Sequence, residues 1–89
     1  MQTRYYVIGI GYDENDNITD HEQGFGDFDT YREAKELFLE LMSRNRSTFF
    51  ENAPDIYQLE IEIQECEENE EESSCIDVLD SWQFINPLY

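Results

Sequence analysis

The sequence predicts an α+β domain, a two-layer β-β-α-β-β arrangement with one helix packed on one face of an antiparallel sheet. Three observations point there. Tyr57, Leu59, Ile61 and Ile63 alternate strictly with Gln58, Glu60, Glu62 and Gln64, which is the period of a half-buried strand. Thr30-Tyr31-Arg32-Glu33 has the spacing of a helix capping box and opens a stretch of helical periodicity. Arg4 to Tyr12 is rich in β-branched and aromatic residues.

In chain order, Arg4–Tyr12 reads as an interior strand with Tyr6, Ile8, Ile10 and Tyr12 on one face and Gly9 and Gly11 on the other. The cluster Asp13-Glu14-Asn15-Asp16-Asn17 is a turn, and Ile18 to Phe28 returns as a second, irregular strand interrupted by Gly24 and Gly26. After the cap at Thr30, the residues Tyr31, Ala34, Leu37, Phe38, Leu41 and Met42 form one apolar stripe, and the helix ends between Ser43 and Asn45. The strand from Tyr57 is followed by an acidic run, Glu67 to Ser74, and then by a second apolar set from Cys75 to Phe84.

A hairpin with Cys66 opposite Cys75 sets Ile63 against Val78, Leu59 against Trp82 and Tyr57 against Phe84 on the inner face. On the outer face it sets Glu62 against Leu79 and Gln64 against Asp77. Asp80 then falls opposite Ile61 on an otherwise apolar face, which marks a bulge or a strand end. The tail Asn86-Pro87-Leu88-Tyr89 closes the chain.

The length of 89 residues suits a single acidic domain over residues 1–89 with one modest core. Six Tyr, six Phe and one Trp supply more apolar bulk than a disordered acidic tail carries. The net charge is −17, from 22 acids against five bases, and it is unevenly placed. Residues 29–46 balance four bases against four acids, whereas residues 47–89 hold twelve acids and no Lys or Arg. A field of that sign repels nucleic acid and anionic membrane, because phosphate binding relies on Lys and Arg to displace counterions. The run Tyr5–Tyr12 is too short to span a bilayer, and the expected location is cytoplasmic. In that compartment Cys66 and Cys75 default to reduced thiols, although their opposition permits a disulfide under oxidation.

Sites of catalysis are not indicated. Asp13-x-Asn15-x-Asn17 opens like a calcium loop but has Ile18 and Gly24 where an EF-hand needs Gly and a bidentate Glu. Gly9-x-Gly11 lacks the third glycine of a dinucleotide loop, since Glu14 stands there, so its glycines make room for a neighbour or a bend. His21 is the one histidine, and with Cys66 and Cys75 it lacks zinc-site spacing. Among the acids, Asp80 alone is set in apolar company of the kind that raises a catalytic pKa. The chain is expected to be non-enzymatic, with no cofactor and no metal.

What stands out is the carboxylate array. Glu60 and Glu62 project from the outer face, Asp77 joins from the neighbouring strand, and Glu65, Glu67, Glu68, Glu70, Glu71 and Glu72 crowd the connection. Same-face carboxylates two residues apart are separated by about 6.6 Å along a strand, on the scale of phosphate spacing along a nucleic-acid strand. Solubility alone asks for a net charge of only about 2 to 8 in magnitude, so the excess implies a use. Those nine residues are the expected partner-binding set. The expected partner is a basic nucleic-acid-binding protein, with Tyr12, Phe25 or Tyr89 adding aromatic contacts.

In composition and size, with no shared motif, the chain resembles the short acidic proteins of phages and mobile elements that inhibit host nucleic-acid enzymes by mimicking DNA, including some anti-CRISPR and anti-restriction proteins. That resemblance implies inhibition of a host enzyme and assigns no residue a role. Another reading stays open: an accessory interaction module or small subunit that docks through a sheet edge or its helix, with acidity serving solubility and steering. Salt and charge neutralisation separate the two.

Overall fold

The computed structural model describes residues 2–69, 71 and 73–89, without the side chains of Ser73 and Ile76. Its elements run β1 (Gln2–Tyr12), β2 (Ile18–Phe28), α1 (Tyr31–Ser43), a 3₁₀ turn (Arg46–Phe50), β3 (Gln58–Glu68) and β4 (Ser73–Ile85). The four strands form one antiparallel sheet in the order β2-β1-β3-β4, so the N-terminal strand is interior and lies beside β3. One face is covered by α1 and the 3₁₀ turn, giving the α+β layering that the sequence predicts.

The β1–β2 hairpin turns at Asp13–Asn17. Asp13 spends its carboxylate on the turn itself, accepting from the amides of Asn15 at 2.8 Å and Asn17 at 3.0 Å. Those backbone donors hold the Asp13 carboxyl below its ordinary range. Asp16 takes the left-handed conformation, at φ 64°, that closes the turn. The alternating Asp and Asn residues are therefore turn chemistry.

The α1 N-terminus forms as its sequence dictates. Thr30 Oγ1 accepts from the Glu33 amide at 3.3 Å and donates to the Glu33 carboxylate at 2.9 Å. Ala34, Phe38 and Leu41 are buried on the sheet, while Tyr31 and Met42, at the ends of the stripe, are partly exposed. The segment after α1 brings a second lid that periodicity did not reveal. Phe49 and Phe50 of the 3₁₀ turn enter the core, and Phe84 packs against them with centroids 5.3 and 5.7 Å away. Ala53 and Ile56 extend this lid, and Asn86 clamps the tail beneath it by donating to the carbonyls of Pro54 at 3.1 Å and Ile56 at 2.7 Å.

The covered face of β1 carries Val7, Gly9 and Gly11, and the four large side chains Tyr6, Ile8, Ile10 and Tyr12 occupy the open face. The glycines exist for clearance. A Cβ on Gly9 would lie 3.0 Å from the Phe25 ring, and one on Gly11 would lie 2.9 Å from both Ile56 and Thr19. Phe25 thus faces the core, packed 5.9 Å from Phe49, and is not the surface contact that its position in the sequence suggested.

The β3–β4 hairpin corrects the expected register. Cys66 does pair with Cys75, but Ile63 pairs with Asp80, Ile61 with Trp82 and Leu59 with Phe84. Gln64 pairs with Val78, Glu62 with Ser81 and Glu65 with Asp77. Two irregularities, between Ile63 and Gln64 and between Glu65 and Cys66, each insert an extra β4 residue. Their combined slip of two residues returns Trp82 and Phe84 to the covered face. Strand alternation has period two, so apolar pairing cannot distinguish a register from one shifted by two.

Asp80 stands on the covered face opposite Ile63, and α1 supplies its partners. Lys35 Nζ lies 3.2 Å from Oδ1, and the Tyr31 hydroxyl donates to Oδ2. The Tyr31 hydrogen bond is the main reason that the Asp80 carboxyl sits below its ordinary range, with the Lys35 interactions adding to it. The acid is a pin between sheet and helix.

Cys66 and Cys75 are joined by a disulfide, with Cα atoms 3.8 Å apart, where reduced thiols were expected. Direct cross-strand opposition brings the two sulfurs together. No helix among the described residues is long and apolar enough to cross a membrane.

Candidate protein-interaction surface

The open sheet face is built by alternation. Along its centre run Tyr6, Ile8, Ile10 and Tyr12 of β1, all half-buried. Their β3 partners in order are Gln64, Glu62, Glu60 and Gln58. On the other side, β2 sets Asp27 against Tyr6 and Glu22 against Ile10. β4 contributes Ser81 opposite Glu62 and Gln83 opposite Glu60.

Glu60 and Glu62 are the centre of this face. Glu62 is only 8% exposed although no helix covers it. Burial pushes its carboxyl above the ordinary range, and a hydrogen bond to Glu60 pushes it further in the same direction. Glu60 moves the opposite way, lowered first by that same hydrogen bond and then by Gln83 and Tyr12. Where the pair holds a single proton, that proton therefore resides on Glu62 and is donated to Glu60. Neutral donors hold both in place: Tyr12 OH donates to Glu60 Oε1 at 3.3 Å, the Gln83 amide to Glu60 Oε2, and the Gln64 amide to Glu62 Oε2 at 2.9 Å. Further along, the Tyr6 hydroxyl donates to Glu68. Burial and the neighbouring Glu60 charge raise the Tyr12 pKa, which keeps its hydroxyl a neutral donor.

The cations are engaged by other groups, and Arg4, on the parity of the open-face stripe, is engaged at its edge. Arg4 bridges Asp27 and Asp29, Arg32 pairs with Glu36, Lys35 with Asp80 and Arg44 with Glu40. Arg46 stacks over Trp82 at 5.5 Å and Phe84 at 6.0 Å on the covered side. Among the described residues, Glu60, Glu62, Glu65, Glu67, Glu68, Glu71 and Asp77 take part in no salt bridge.

The nine acids singled out in the sequence are not one array. Glu60, Glu62 and Glu68 share the open face, whereas Glu65 and Glu67 fall on the opposite parity of β3, opposite Tyr5 and Thr3. Asp77 faces Glu65 across the hairpin rather than Gln64, setting two acids directly opposite each other. Glu71 is exposed beyond the end of β3. Glu70 and Glu72 lie outside the described residues.

Sequence reasoning missed Tyr6, Gln64 and Gln83 as orienting donors. The signal was available for Gln64, which shares the outer parity of Glu60 and Glu62. Tyr89, the remaining aromatic contact expected from the sequence, packs edge-on against Tyr57 with centroids 5.1 Å apart.

His21 lies in a groove of about 390 Å³ with Thr19, Asp20, Asn52, Ala53, Asp55 and Ile56. Its Nε2 is 2.7 Å from the Gln23 amide nitrogen, which also donates to the Phe49 carbonyl at 2.9 Å. Neither serine nor cysteine lines this groove, and the Thr19 hydroxyl donates to the Gly11 carbonyl at 2.9 Å rather than to His21. Among the described residues no group of three or more His, Cys, Asp or Glu is placed to hold a metal ion. No protein-family model matches the chain, and comparison with curated proteins and with solved structures finds no match.

Proposed function

We propose that the protein is a non-enzymatic acidic inhibitor that mimics nucleic acid and occupies a basic DNA- or RNA-binding site on a host defence or nucleic-acid enzyme. One observation carries this reading: Glu60, Glu62 and Glu68 on the open face are oriented by tyrosine and glutamine donors, while the Lys and Arg side chains are engaged by other groups. A carboxylate steadied by a neutral donor keeps its charge for a partner, whereas one paired with Arg or Lys does not. An anti-CRISPR or anti-restriction role in a host cytoplasm, for a phage-borne chain, fits this chemistry. In that reducing compartment the Cys66–Cys75 bridge is expected to be open.

A pull-down from bacterial lysate at low salt, eluted with a salt gradient, tests the proposal. Recovery of nucleic-acid enzymes that added DNA competes away is the expected result. A partner that resists both high salt and DNA overturns it in favour of an apolar docking module. For that second reading the specific support is the outer strand β4, where Val78, Leu79 and Ile85 are 48%, 37% and 54% exposed.

A further inference from the structure

We infer that the docking surface is the open sheet face centred on Glu60, Glu62 and the Tyr6–Tyr12 stripe, rather than the acidic hairpin end, and that its occupant is an arginine-bearing segment of a basic protein. This rests on the mimic reading and narrows it to one face and one side-chain chemistry. The face is unpartnered, since α1 and the 3₁₀ turn both lie on the other side of the sheet. It combines what an interface core needs: four adjacent large side chains flanked by carboxyls. The hairpin end offers charge without that apolar floor.

Charge decides the class of occupant. A second copy of this chain would bring another chain of net charge −17 against this face, and nucleic acid is repelled for the same reason. Arginine is favoured over lysine by three features of the site. Half-buried Glu60, with Glu62 two residues along the same face of β3, offers a carboxylate to a planar donor fork. Tyr6 and Tyr12 supply rings on which a guanidinium stacks. The aliphatic floor of Ile8 and Ile10 suits a weakly hydrated cation better than a strongly hydrated ammonium.

The test is titration of the ¹⁵N-labelled full chain with nona-arginine and, separately, nona-lysine at low salt. Amide shifts confined to residues 6–12 and 58–64, with nona-arginine binding at least about fivefold more tightly than nona-lysine, are expected. Glu60→Gln/Glu62→Gln should weaken nona-arginine about tenfold. Glu65→Gln/Glu67→Gln/Glu71→Gln should weaken it about twofold through general screening alone. Ile10→Lys gives an independent check, because it supplies the cation from within and should block the peptide with both carboxyls intact. Retained amide dispersion certifies that each variant folds. If the hairpin variant loses binding while Glu60→Gln/Glu62→Gln and Ile10→Lys keep it, the face assignment is overturned and the mimic reading survives. If neither peptide binds and the lysate partner ignores DNA, both are overturned.

Discussion

The two faces of the sheet are made by the same strands yet obey opposite rules. On the covered face, Val7, Leu59, Ile61 and Ile63 are completely buried, and Asp80, set opposite Ile63, is matched by Lys35 and Tyr31. On the open face a carboxyl nearly as buried, Glu62, is set against another carboxyl, and among the described residues neither takes part in a salt bridge. A protein that needed only to fold would treat both acids alike, by pairing or omitting them. The unequal treatment separates a face that supplies stability from one that, under the proposed function, holds charge ready for a partner.

The contrast is broken most directly at Leu59. Leu59→Ala leaves a cavity beneath Phe84 in the fully dry layer, and urea denaturation should show a loss of about 3 kcal/mol. A loss below about 1 kcal/mol would mean that this layer is not the main source of stability. Next comes the disulfide. Opening the short loop between Cys66 and Cys75 by Cys75→Ser should cost about 2 to 3 kcal/mol under oxidising conditions. The same variant should match the wild type once both are reduced with dithiothreitol. A persistent difference after reduction would assign the effect to packing of the thiol instead.

Gly11→Ala sharpens the comparison from within β1. The added methyl points at the covered face, 2.9 Å from Ile56 Cδ1 and Thr19 Oγ1 and 3.1 Å from His21 Cβ. Overpacking there should cost about 2 kcal/mol in chemical denaturation. Ile10→Ala, on the opposite parity of the same strand, should cost less, because its side chain is only half-buried. Equal costs would show that the open face is as tightly packed as the covered one.

Much of this division was legible in the sequence, and the rest was hidden for definable reasons. Alternation along Tyr57–Gln64 placed Glu60 and Glu62 together on the outer face, and Thr30 with Glu33 marked the helix start. Cys66 opposite Cys75 was reached by setting the two cysteines against each other, a pairing with which apolar alternation on both strands is compatible. The slip of two beyond it was not, since it changes partners without changing faces. Asp80 looked like a flaw because its partners, Lys35 and Tyr31, lie on a distant helix whose docking no local pattern reports. The lid at Phe49 and Phe50 is a single 3₁₀ turn, too short to show a period. The burial of Glu62 depends on the pairing of β3 with β1, a long-range contact that places Ile8 beside it.

The smallest expected effect has the opposite sign, and it separates the faces most sharply. The Glu62 carboxyl has a folded-state pKa above its unfolded value, chiefly through burial. Such a group favours the folded state at pH below its unfolded pKa, and that contribution is lost as pH rises through the folded value. At neutral pH, Glu62 is therefore a liability, and Glu62→Gln, which keeps a donor for Glu60 without a buried charge, should raise stability by about 1 kcal/mol. The gain should fade as the pH drops into the ordinary carboxylate range, around pH 4, where wild-type Glu62 is neutral as well. Glu60, lowered by the same hydrogen bond, works in the opposite sense: its contribution is present above its unfolded pKa and lost as pH falls through the folded value. Its amide donors Gln83 and its hydroxyl donor Tyr12 remain in the variant, so a stability profile measured from pH 4 to pH 8 isolates the Glu62 contribution. A variant more stable than the wild type but weaker towards a basic peptide would place Glu62 among residues kept for binding at the expense of stability. A variant less stable at neutral pH would instead make the carboxyl pair part of the fold's own support, and the two faces would then differ in degree rather than in kind.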